Sequence, residues 1–175
     1  MSSGMFIAPP LSAPDDPGAD PVTFDEATLW AGDIVVSRSP IRMSTVLGSC
    51  VSVCLFDPGR RFGGMNHFLV PRGGSKPIHG DWSTQELLDR MRKLGCAKSD
   101  LQAKIFGGGS PLQLTHDALA VGTENVAVAR EVLDAHGIRL VSEKVGLNRG
   151  LRLFYENWTG VVWVRHHTKG DNHGS

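Results

Sequence analysis

The sequence predicts an α/β fold of mixed or antiparallel β-sheets with helices on the outside. Short β-branched or alternating runs, bounded by Gly, Pro and Asn turns, make up most of the chain. Two stretches carry helical periodicity with start and stop signals. The elements follow in the order β-β-β-α-β-α-β-β-β, without the regular alternation that a doubly wound parallel sheet requires.

At 175 residues the chain suits one domain with a substantial core. Residues 1–28 are set apart as a flexible extension, because stretches such as Pro14-Asp15-Asp16-Pro17-Gly18 bury too little apolar surface to offset chain entropy. The folded domain is expected over 29–168, with a flexible tail over 169–175. Asp33–Ser37 and Val51–Phe56 read as strands. Asp57 to Gly64 is turn chemistry, and Met65–Val70 returns as a strand, forming a hairpin. Ser83-Thr84-Gln85-Glu86 reads as a capping box before Leu87, Leu88, Met91 and Leu94, with Gly95 as the stop. Thr123 is the expected N-cap of the second helix, which carries Val126, Ala129 and Leu133 on one stripe and ends at Gly137. Ala103–Phe106, Ile138–Lys144, Leu151–Tyr155 and Val161–Arg165 complete the strands. Asn157-Trp158-Thr159-Gly160 marks a second hairpin, and the polar tail from His166 is expected to fray.

Composition narrows the function. Eighteen basic residues balance eighteen acidic ones, so the chain lacks the clustered cations that nucleic-acid binding uses to neutralise phosphates. No apolar run reaches membrane-spanning length, no polybasic patch stands out, and no signal peptide is expected. Three cysteines, an odd number, read as reduced thiols in a cytoplasm. They form no C-x-x-C pair and the histidines are scattered, which makes zinc a poor reading; His166, His167 and His173 suit a solvated tail. Gly107-Gly108-Gly109-Ser110 lacks the Lys-Ser/Thr ending of a phosphate loop and reads as a tight turn or close backbone approach at a site rim. Gly146 to Gly150 reads as a turn.

The pair that can carry chemistry is Cys50 and His67. If the hairpin closes with Leu55 opposite Gly64, Ser52 faces His67, and Cys50 becomes a diagonal neighbour of His67 on the same face. A slip of one residue would separate them. An imidazolium beside the thiol would lower its pKa and favour the nucleophilic thiolate. Gly48 and Ser49 allow close backbone approach and can present N–H groups to an oxyanion. Ser44, Thr45 and Asn66 are local candidates to orient the imidazole, and Asn66 can also shape the site. Spacing alone leaves catalysis and simple packing both open. Cys54 suits core packing, and Cys96 lies at a helix end.

The segments Leu47-Gly48-Ser49-Cys50-Val51-Ser52-Val53-Cys54-Leu55 and Gly63-Gly64-Met65-Asn66-His67-Phe68-Leu69-Val70-Pro71 closely resemble the CheD family of chemoreceptor glutamine deamidases. The resemblance extends through Ala103–Gly108, Val121-Gly122 with Asn125, Asn148-Arg149-Gly150 and Thr159–Val162, covering roughly 29–165. It implies stacked sheets flanked by helices, a fold kin to bacterial toxin deamidases. It also implies a cysteine hydrolase that converts chemoreceptor glutamines to glutamates through a thioester, with no metal or organic cofactor. Cys50 and His67 match the nucleophile and base. The family's triad hydroxyl lies six residues before the cysteine, at Ser44, with Thr45 adjacent. The implied substrate is the cytoplasmic helical bundle of a methyl-accepting chemotaxis protein, and some members also bind the phosphatase CheC. The sequence departs from the family pattern at Ser44, where the family's triad has threonine, and at Gly109, Glu124, Leu147 and Leu151. Rival readings are a non-catalytic receptor-binding adaptor and another acyl-transfer enzyme, such as a methylesterase, transglutaminase or protease.

Overall fold

The computed structural model describes residues 20–110 and 116–167. Nine strands and two helices run in the order β1 (Asp25–Thr28), β2 (Ile34–Ser37), β3 (Ile41–Leu47), β4 (Val51–Asp57), β5 (Phe62–Asn66), α1 (Gly80–Lys93), β6 (Gln102–Gly107), α2 (His116–Ala135), β7 (Arg139–Val145), β8 (Gly150–Glu156) and β9 (Val162–His167) among the described residues. The strands form two mixed sheets, of order β1-β3-β8-β9 and β2-β5-β4-β6-β7. Parallel pairing occurs between β1 and β3 and between β6 and β7; the other paired strands are antiparallel.

Strand alternation builds three layers. Val51, Val53 and Leu55 of β4 and Ala103 and Ile105 of β6 face α1 and α2, which contribute Leu87, Leu88, Met91, Val126, Ala129 and Leu133. On the opposite face, Cys54, Met65 and Phe106 meet Met43, Leu47, Leu151, Leu153 and Tyr155 of the four-stranded sheet. The expected stacked sheets with outer helices are thus present. Tyr155 is fully buried in the seam and donates its hydroxyl to Leu55 O at 2.7 Å, so the phenol enters the core without an unsatisfied donor. A Cβ at Gly63 would lie 2.2 Å from that hydroxyl, so the first glycine of the Gly63-Gly64 pair makes room for it.

The hairpin register is the expected one, with Leu55 opposite Gly64 and Cys54 opposite Met65. Both hairpins form, and Gly95 and Gly137 follow the two helices. Five details differ from expectation. Asp25–Thr28 is not part of an extension; it pairs with β3 as an edge strand. The alternating run Ile41–Leu47 is a central strand, although its polar Arg42, Ser44 and Thr45 hide it in a search for β-branched blocks. Ser83 does not cap α1. The helix starts at Gly80, whose missing side chain lets it sit against the Phe68 ring, and Ser83 is buried in the helix, accepting from Asn66 Nδ2 at 3.1 Å. Thr123 likewise lies inside α2, and β9 carries His166 rather than fraying before it. The expected extension over 1–19 and tail over 169–175 lie outside the described residues, as does His173.

Candidate active site

The two sheets bring Thr45 and His67 together at their seam, and Cys50 immediately precedes Val51, which pairs with Phe68 next to His67. Thr45 comes from β3 of the four-stranded sheet, and His67 follows β5 of the five-stranded sheet. Cys50 lies on the short link between β3 and β4 that joins the sheets. Alternation along β3 decides which hydroxyl reaches the imidazole. Met43, Thr45 and Leu47 are buried in the seam, and Ser44 and Val46 face away. Thr45 Oγ1 stands 2.8 Å from His67 Nδ1. Ser44, the first expectation for this position, instead has its Oγ 3.3 Å from Thr28 Oγ1 on the neighbouring strand, so Thr45 takes the place beside the imidazole.

The hydrogen bonds set the tautomer. Thr45 has one hydroxyl proton, donated to Leu29 O at 2.7 Å, and a carbonyl can only accept. The Thr45 oxygen must therefore accept from His67 Nδ1–H. The neutral imidazole then carries its proton on Nδ1 and a bare lone pair on Nε2. That Nε2 is buried and has no hydrogen-bond partner among the described residues. The backbone of His67 is clamped by the turn after Leu29, with Gly32 N donating to His67 O at 2.8 Å and His67 N donating to Asp33 O at 3.0 Å. One short segment therefore fixes both the hydroxyl and the ring's backbone.

The Cys50 loop is held from its other side. Gly109 N donates to Gly48 O at 2.9 Å, Asn125 Nδ2 to Ser49 O at 2.9 Å, and Gly108 N to Cys50 O at 2.8 Å. In a planar trans peptide, the carbonyl and the following N–H point in opposite directions. Turning Ser49 O toward Asn125 thus turns Cys50 N–H away from α2, where it lies against its own sulfur and favours the thiolate. Gly48 and Ser49 therefore shape the site through their carbonyls. Asn125 also donates to Leu69 O at 3.1 Å, tying the cysteine loop to the chain after His67. Spacing could not reveal this role, since Asn125 is remote in sequence and bonds only backbone. Asn66 faces the opposite way from His67: its Oδ1 accepts from Val53 N at 2.7 Å and its Nδ2 reaches Ser83, so it pins β4 and α1 and does not orient the imidazole.

Burial works against the charged form of both groups. Burial raises the Cys50 pKa, opposed by its own backbone N–H. Burial lowers the His67 pKa, opposed by the Leu29 carbonyl and Asp33. The expected lowering of the thiol's pKa is not present in this state, because desolvation outweighs the neighbouring dipoles. Cys54 is fully buried and pushed far up by desolvation, which makes it inert. For a base that must be neutral to accept a proton, a lowered pKa extends activity toward acid. The acid limb of kcat/KM against pH is expected to have its midpoint below the ordinary imidazole value of about 6.5, falling as His67 protonates. A midpoint above that value contradicts the assignment of the limb to His67.

The fold and this cluster define an α/β protein with a cysteine–histidine–threonine arrangement at the seam of two sheets. The family model described as CheD chemotactic sensory transduction matches residues 72–166. The chain is 41% identical over 140 residues to a probable chemoreceptor glutamine deamidase CheD of Rhodospirillum rubrum, covering 78% of this chain and 80% of that protein. It is 39% identical over 140 residues to the probable chemoreceptor glutamine deamidase CheD 1 of Anaeromyxobacter dehalogenans, covering 78% and 82%. A probable chemoreceptor glutamine deamidase CheD of Methanococcus maripaludis is 35% identical over 139 residues, covering 77% and 90%. The chain belongs to the CheD family. The family-model match begins downstream of Thr45, Cys50 and His67, so the site geometry and that match are separate observations.

Proposed function

We propose that this protein deamidates glutamine side chains of chemoreceptors to glutamate, with Cys50 as nucleophile, His67 as general base and acid, and Thr45 as the orienting hydroxyl. The observation that carries the reading is Thr45 Oγ1 held between Leu29 O and His67 Nδ1, which leaves Nε2 without a partner in the seam, on the residue before the Val51–Phe68 bridge that follows Cys50. The relatives named chemoreceptor glutamine deamidase supply the substrate class.

The neutral resting pair sets the order of events. The Cys50 thiol proton passes to His67 Nε2 as the sulfur attacks the carboxamide carbon. Cys50 N–H stabilises the oxyanion. The imidazolium, held by Thr45, returns the proton to the departing nitrogen; ammonia leaves and a thioester remains. Water, deprotonated by Nε2, then hydrolyses the thioester and regenerates the thiol. The reaction takes place in the cytoplasm, on the helical bundle of the receptor. No helix among the described residues is long and apolar enough to cross a membrane, and all three cysteines are free thiols. Each new glutamate adds a negative charge that biases the receptor's signalling equilibrium.

Mass spectrometry of a treated receptor fragment tests the reaction class. Deamidation adds about one dalton per modified glutamine, because NH₂ is replaced by OH, and leaves the chain intact. Chain cleavage, cross-linking, loss of a methyl ester or an unchanged mass would each point to a rival reading.

A further inference from the structure

Ser52 is a buried polar residue that the reaction above does not use. It is fully enclosed, and its Oγ has no hydrogen-bond partner among the described residues. A buried hydroxyl without a partner has given up its bonds to water for nothing, so a central strand retains one only against a cost. Its place in the sheet identifies what it faces. The pairs Cys54–Met65 and Val51–Phe68 share one register, which puts Ser52 directly opposite His67. Val51 and Phe68 exchange both backbone hydrogen bonds, at 3.1 and 3.0 Å. The adjoining Ser52–His67 pair is therefore of the non-hydrogen-bonded kind, in which facing side chains stand closest, with Cα atoms about 4.5 Å apart.

Elimination narrows the partner further. On its other side Ser52 is paired with Phe106, whose side chain offers no hydrogen bond to the Ser52 hydroxyl. The Thr45 hydroxyl proton is committed to Leu29 O. His67 Nε2 is also buried and unpartnered among the described residues, and it lies on the ring of the residue that Ser52 faces. Two unpaired groups on opposed residues can be bridged by one small molecule that donates to the imidazole and bonds the hydroxyl.

We propose that Ser52 Oγ and His67 Nε2 together hold the water that hydrolyses the Cys50 thioester. The assignment rests on the deamidase reading. One water proton goes to Nε2, the other is held by Ser52 Oγ, and the oxygen lone pair forms the new bond to the acyl carbon. The carbon–sulfur bond then breaks. The sulfur takes the proton from Nε2, the carboxyl group leaves with the water oxygen, and the thiol is restored. Acylation makes no demand on Ser52, because its proton comes from Cys50 and leaves with ammonia. Ser52 is thus a water-positioning residue for the second half-reaction.

The test separates the two halves in Ser52→Ala, a substitution that removes one oxygen and leaves the strand's backbone bonds in place. A rapid-quench assay with a chemoreceptor cytoplasmic fragment reads the first-turnover ammonia burst. Steady-state release reads the full cycle, and acid-quenched intact mass reads the covalent enzyme–receptor adduct. The burst rate is expected to stay within about twofold of wild type, steady-state turnover to fall on the order of tenfold or more, and the adduct to accumulate on Cys50. Ser52→Thr, which keeps the hydroxyl, is expected to recover turnover and clear the adduct. Wild-type turnover without adduct in Ser52→Ala overturns the proposal, as does an equal loss of burst and turnover. A wild-type protein that releases no ammonia overturns the deamidase reading, and this assignment falls with it.

Discussion

Thr45→Val will reduce receptor deamidation by about 10²- to 10³-fold, and Ser44→Ala will leave it within about twofold of wild type. Valine matches threonine in shape, so the seam stays filled. The loss is chemical. Without the hydroxyl, Leu29 O and His67 Nδ1 both lose their partner, and the ring is no longer held in the Nδ1–H tautomer. The two unpaired groups also lower stability by roughly 1–3 kcal/mol, read as a modest fall in melting temperature. Thr45→Ser keeps the oxygen but releases the rotamer that the β-branch restricts, and it should recover part of the rate. Ser44 lies on the other face of β3 with its Oγ 3.3 Å from Thr28 Oγ1, so loss of that hydroxyl touches neither ring nor sulfur. The reverse ranking of the two variants would place the orienting role at Ser44.

The second large effect belongs to Gly107. Its φ of +102° is a backbone conformation that side chains rarely adopt, and a Cβ there would lie 2.1 Å from Cys50 O. The clash is with backbone, so no side-chain rotation relieves it. Gly107→Ala is expected to cost roughly 2–4 kcal/mol in chemical denaturation, combining strain with forced displacement. The displaced group is the cysteine loop itself, so activity should fall further than the folded fraction does. Gly137→Ala provides the contrast. It shares a positive φ of +66° but has nothing within 4 Å of its Cβ, so it should cost less and spare the site. Equal effects from the two glycines would mean that the approach to Cys50 carries no weight.

The legible parts of this site were those that a single strand pair can encode. The turn at Asp57 to Arg61 and the apolar alternation of β4 fix the expected register, Leu55 opposite Gly64, and the Val51–Phe68 bridge continues it toward Cys50 and His67. The glycine run after β6 was readable as a close backbone approach, and the structure supplies its object, the Cys50 carbonyl. Residues whose partners lie in the other sheet or on backbone atoms were not legible. The position of Thr45 depends on β3, whose polar residues mask the strand, and on β1, which lies in a segment of loop-like composition. Leu29 acts through its carbonyl and Asn125 through two backbone oxygens, and neither leaves a spacing signal. Burial reversed the expected direction of the Cys50 pKa, because desolvation depends on how tightly the sheets close over the thiol.

The assignment of Cys50 as nucleophile is tested most directly by ammonia release from a receptor fragment. Wild type and Cys50→Ala are compared at equal concentration, with thermal melting as the control for folding. The alanine variant should melt like wild type and release ammonia only at the background rate, while wild type turns over repeatedly. Ammonia release that survives in a folded Cys50→Ala protein would contradict the assignment of the nucleophile, and with it the catalytic role of the cysteine–histidine–threonine cluster.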